Sequence, residues 1–163
     1  IYASSPVTDG QKVWIYYMGG NGQHTNFRES SLGRAYWEAD KFACWTEKNE
    51  GMESILTTTT LTVGGNYIEV LADEADAEKD WKLMASVHPV WTENAYEGLG
   101  MEDAVTEKSG RWIRISWKGK KLPDKSGCIR FQFKNLKIWA VRGELEYKGH
   151  RLWEGADMEN EGM

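Results

Sequence analysis

The sequence predicts an all-β chain: a leading β-hairpin followed by a β-sandwich. Three observations carry that expectation. Val, Ile, Tyr, Phe, Trp and Thr gather into short runs, the residue types that fit a pleated surface. Several runs alternate apolar with polar residues, the period of two that strands impose. Turn-forming pairs such as Asp9-Gly10 punctuate the runs at short intervals.

The first strand is KVWIYYM, residues 12–18. Trp14 and Tyr16 point to one side; Val13, Ile15 and Tyr17 point to the other. Both sides are apolar, so both need cover. Asp9-Gly10 reads as the hairpin turn leading back to residues 4–7. The run Gly19-Gly20-Asn21-Gly22 ends the strand in a permissive loop. Residues 31–45 then give two short extended runs around Asp40-Lys41. ILTTTTLTV and NYIEVLA are further strands, separated by Gly64-Gly65. DEADAEKD is an acidic turn, and WKLMASV is extended until His88-Pro89 stops it. Residues 92–110 read as one long loop with a helical turn near 101–107.

The last third has the clearest pattern. RWIRISW sets Arg111, Ile113, Ile115 and Trp117 against Trp112, Arg114 and Ser116. IRFQFK sets Ile129, Phe131 and Phe133 against Arg130, Gln132 and Lys134. One apolar face at period two marks an antiparallel sheet wetted on one side. KIWAV follows directly after Asn135, so a tight hairpin or bulge is expected there. The expected organisation is a hairpin and loop over 1–30, a sandwich over 31–143, and a polar, acidic, mobile tail over 144–163.

At 163 residues the chain is long enough for one domain with a real core. Its net charge of −5 argues against binding a nucleic-acid backbone, which needs clustered cations. No apolar run approaches a membrane helix, so no membrane partner is expected. Cys44 and Cys128 cannot make a zinc site, because no His spacing completes one. A disulfide between them and two free, buried thiols are the alternatives. The acidic turn lacks calcium-loop spacing, the glycine run lacks the residues of a phosphate loop, and no Ser-His-Asp or Cys-His motif stands out. No metal and no cofactor are expected.

Ser5-Pro6-Val7, Trp14-Ile15-Tyr16-Tyr17, Gly19-Gly20 and His24 resemble the last blade of five-bladed-propeller proteins related to glycoside hydrolase families thirty-two and forty-three. Ser31-Leu32-Gly33-Arg34-Ala35 resembles the run that leaves that propeller. Asp40, Phe42 and Ala43 match an Asp-Gly-Phe-Ala pattern opening the attached sandwich, with Lys41 where the pattern has Gly. Ile115-Ser116-Trp117 and Arg130-Phe131-Gln132-Phe133, with Asn135, Leu136 and Trp139, match its closing strands.

The resemblance implies a propeller-type hairpin followed by a jelly-roll, lectin- or glucanase-like sandwich. It places the catalytic carboxylates of such glycosidases on earlier blades, so no catalytic residue is nominated here. His24 would face the propeller funnel, or else cap a solvated loop. Trp91, Glu93, Asn94 and Tyr96, in PVWTENAY, and Trp45 are the candidate sugar contacts: rings stack on sugar faces and polar groups bind hydroxyls. The alternative is that these rings plug the sandwich ends. The expected function is a non-catalytic C-terminal module of a carbohydrate-active or carbohydrate-binding protein, in a secreted or extracellular setting. The other readings are a self-associating structural protein and a fragment of a larger glycoside hydrolase. Expected partners are a glycan, and a preceding propeller or another protein chain covering Val13, Trp14, Ile15, Tyr16 and Tyr17.

Overall fold

The computed structural model describes residues 2–22, 29–49 and 51–147. It is all-β and antiparallel, and divides into two compact units, Ile1–Cys44 and Trp45–Met163.

The first unit is built on β3 (Lys12–Gly20). β4 (Ser30–Glu38) pairs with its whole length, from Lys12 opposite Glu38 to Gly20 opposite Ser30. The short strands β1 (Tyr2–Ala3) and β2 (Val7–Thr8) share its other side, Ala3 opposite Tyr17 and Val7 opposite Trp14. The hairpin turn falls at Asp9-Gly10, as the sequence predicts. Gly10 takes the φ of 91° that a side chain resists. The Asp9 carboxylate accepts the backbone N–H of Gln11 and of Lys12 and the indole N–H of Trp14. The indole bond first, then the two amides, lowers its pKa to about 2.

Register sorts the side chains of this unit onto two faces. Val7, Trp14, Tyr16, Met18, Leu32, Arg34 and Tyr36 share one; Val13, Ile15, Tyr17, Gly33, Ala35 and Trp37 share the other. Trp14 and Tyr36 rings meet at 4.8 Å, with Arg34 over Trp14 and Lys12 over Tyr36. Tyr17 lies across Gly33, where any Cβ would overlap its ring. No described residue of this unit is buried. Val13, Trp14 and Ile15 are half-buried, while Tyr16 and Tyr17 are exposed. Leu32 is 79% exposed.

The second unit is a sheet folded over one core. Its first half orders β5 (Ser54–Thr57), β10 (Lys125–Lys134) and β7 (Lys82–Pro89). Its second half orders β11 (Leu136–Tyr147), β6 (Leu61–Glu74), β9 (Trp112–Trp117) and β8 (Ala104–Ser109). The halves join where Lys125, Ser126 and Gly127 pair with Val63, Thr62 and Leu61. Leu83, Ala85, Val87, Ile129, Phe131 and Phe133 meet Val63, Ile68, Val70, Ile113, Ile115 and Trp117 in one cluster. The buried Trp117 indole donates to Ala85 O at 3.1 Å, linking β9 to β7 through the core. This is a sandwich-like arrangement.

Several expectations are corrected. Residues 30–38 pair with β3, so the division falls after Cys44 and not at residue 30. Residues 92–110 hold a 3-10 turn (Met101–Asp103) and β8, whose exposed, charged residues hid it as a strand. Gly64-Gly65 does not separate two strands: β6 runs through it, with Gly65 at φ 87° and residues 65–67 bulging opposite Gly143 and Glu144. Residues 144–147 belong to β11 and pair with β6, so they are not tail.

Asn135 makes no hairpin either. It carries the chain from β10 in one half to β11 in the other, at φ 54°. Its side chain donates to Asp76 O and Lys79 O and accepts the Asp76 N–H. Its own N–H donates to Glu47 at 2.7 Å. Asparagine tolerates the left-handed region and satisfies itself there.

Candidate functional site

A strand sends residues i and i+2 to one side, so Ser86 and His88 of β7 share a face. Antiparallel pairing sets Arg130 opposite Ser86 and Cys128 opposite His88. All four stand on the side of this half away from the core. The segment after β7 returns over that side. Thr92 Oγ1 reaches Pro89 O and Asn94 O, and the Tyr96 N–H donates to Val87 O at 2.8 Å. A cleft of about 460 Å³ results, floored by Ser86, His88 and Arg130 and walled by Glu93, Asn94, Tyr96, Glu97 and Glu102.

The floor is polar, with Ser86 and His88 buried and Arg130 half-buried. Ser86 and His88 share a hydrogen bond of 2.7 Å between Oγ and Nε2. Burial, then the Arg130 charge, pushes His88 below its usual 6.5; the nearby backbone of Asn94 and Glu93 and the Glu93 charge oppose this more weakly. The imidazole is therefore neutral near pH 7. Arg130 donates to Glu93 at 3.3 Å. Among the described residues no carboxylate bonds the other ring nitrogen, so none of them gives Ser86 and His88 the orienting third member of a hydrolytic triad.

Trp91 stands on the turn at the start of this segment. It is 83% exposed and holds φ 64°, a costly conformation for a bulky residue. The turn sets the ring in solvent and not against the core. Tyr96 has the opposite placement: it packs on the core, and its hydroxyl donates to Ser126 O at 3.1 Å. It also borders a second hollow of about 680 Å³, with Thr62, Pro89, Val90, Asp124, Lys125 and Ser126.

Glu93, Asn94 and Tyr96 thus line one cleft, and Trp91 stands on the same segment. Trp45 does not join them. Its ring is exposed, but its backbone pairs with Ile138 of β11 in the other half. Cys44 is an exposed thiol of the first unit and Cys128 a half-buried one of the second, so neither is fully buried. His24 lies outside the described residues.

Sequence reasoning missed Ser86, His88 and Arg130. The pattern Ser-x-His within an extended run was a legible signal for the first two. Arg130 needed the pairing of β7 with β10. Among the described residues no group of three His, Cys, Asp or Glu side chains could hold a metal ion. No helix there is long and apolar enough to cross a membrane. The comparisons with protein families, curated proteins and solved structures return no match to this chain.

Proposed function

We propose that this chain is a non-catalytic carbohydrate-binding module, a jelly-roll-type sandwich that follows a propeller-type hairpin in a larger carbohydrate-active protein. The exposed Trp91 ring, on the chain segment that goes on to wall the polar cleft, carries this reading. A sugar presents a C–H face and a rim of hydroxyls. The first suits an indole in water, and the second suits the carboxylates of Glu93, Glu97 and Glu102 and the guanidinium of Arg130. Affinity electrophoresis through gels holding soluble neutral polysaccharides tests it. The chain should be retarded by at least one of them, and Trp91→Ala should restore free migration. Uniform free migration of the unaltered chain removes the reading.

A second reading has its own observation. The first unit leaves aromatic residues exposed on both faces and buries none of those whose burial is described. Such a surface favours a covering partner: a propeller domain, or another chain in a self-associating structural protein. Light scattering of the purified chain separates these. A concentration-dependent rise in mass supports self-association, and a constant monomer mass sinks it.

A further inference from the structure

Trp91 and Asp124 are both held in the left-handed region, at φ 64° and 52°. For a tryptophan that is costly, and such strain gathers at functional surfaces. The two residues stand at one hollow. Asp124 lines the space of about 680 Å³ with Thr62, Pro89, Val90, Lys125 and Ser126, and Trp91 follows Val90 directly.

The polar groups of this hollow are placed but uncommitted. The Asp124 N–H donates to Val63 O at 2.9 Å, which fixes its backbone to β6. Its Oδ1 comes within 3.2 Å of where a Gly64 Cβ would stand, so the glycine leaves room for the carboxylate. The side chains of Asp124, Lys125 and Ser126 make no hydrogen bond or ion pair among the described residues. A carboxylate, an ammonium and a hydroxyl together suit the hydroxyls of a sugar. Pro89 and Val90 offer its C–H face an apolar wall.

The hollow and the cleft lie along one strand. Alternation puts Ser126 on the same side of β10 as Arg130, about 13 Å away at ~3.3 Å per residue. Ser126 borders the hollow, Arg130 borders the cleft, and Tyr96 borders both. That span exceeds a single sugar ring.

We propose that the hollow is a further sugar subsite, so that the ligand is a chain of linked sugars: one end lies in the cleft by Glu93 and Arg130, the middle passes Trp91, and the other end lies in the hollow against Asp124. This rests on the carbohydrate-binding function proposed above and adds the length of the ligand to it.

Isothermal titration of the full chain with neutral oligosaccharides, from two to about six units, tests it. The ladder is cut from a polysaccharide that retards the chain in the gels. Affinity should rise about tenfold or more from the shortest member to the longest, as one or two hydrogen bonds to a charged group would give. Asp124→Gly removes the carboxylate and suits the backbone, since glycine accepts that φ. It should cancel the gain of the longest member and leave the shortest bound as before. If it does not fold, Asp124→Asn, which also tolerates the left-handed region, makes the same comparison. Equal affinity along the ladder, a gain that survives the loss of the carboxylate, or an equal loss for short and long members overturns the subsite and leaves the carbohydrate-binding reading standing. Free migration of the unaltered chain in every gel removes that reading, and the subsite with it.

Discussion

The two units draw on the same residue types and reach opposite outcomes. β9 buries Ile113, Ile115 and Trp117 on one side, and β10 buries Gly127, Ile129, Phe131 and Phe133 on one side. In β3 apolar residues occupy consecutive positions, and no side is buried. A strand greasy on one side completes its burial with one facing layer. A strand greasy on both needs two. Hydrophobic content therefore says less about self-sufficiency than its period does.

The largest test of that contrast compares two truncations by urea unfolding. Phe131→Ala, in the core of the second unit, should cost about 3–5 kcal/mol. Leu32→Ala, in the first unit, should change stability by less than about 0.5 kcal/mol. A large loss from Leu32→Ala would mean that its face is covered in solution.

Asn135→Ala comes next. It removes both carbonyl contacts and the bond from Asp76 and keeps a Cβ at φ 54°. About 2–3 kcal/mol should be lost. Asn135→Gly should lose less, by about 1 kcal/mol, because glycine accepts that φ. Equal losses would show that the hydrogen bonds alone matter.

Acid should then destabilise the second unit in two steps. Folded His88 lies below 6.5, so between those values the unfolded chain holds a proton that the folded chain lacks. Its contribution is complete above about pH 6.5 and declines as pH falls through the lowered folded value. Glu69 is held below 4.5, first by its bond from Arg114 and then, against burial, by Arg142. Its contribution is present above 4.5 and is lost as pH falls through its folded value. Melting temperature against pH should show both steps, and His88→Gln should delete only the upper one.

The smallest effect is local to the first unit. Asp9→Ala should speed exchange of the Gln11 and Lys12 amides, whose acceptor it removes, and leave the melting of the second unit unchanged. A shift in that melting would show that the units unfold together.

Much of the all-β architecture was legible because alternation is a local property. The strands around residues 12–18, 112–117 and 129–134 and the Asp9-Gly10 turn follow from neighbouring residues alone. β8 was not legible, because AVTEKS is exposed or half-buried throughout and carries no apolar period. The crossing at Asn135 was not legible either, since its partners Glu47, Asp76 and Lys79 are distant in sequence. The candidate site divides the same way. PVWTENAY announced Trp91, Glu93, Asn94 and Tyr96 locally, whereas Arg130 reaches Glu93 only through pairing of β10 with β7.

The placement of β10 also bears on kinetics. It is the middle strand of its half, and its contacts reach far back along the chain, as when Gln132 bonds Glu53 across 79 positions. Closing so wide a span sacrifices chain entropy before any core contact repays it. The second unit should therefore acquire its structure slowly, on the timescale of milliseconds to seconds typical of sandwich topologies, with the docking of β10 as the step that sets the rate.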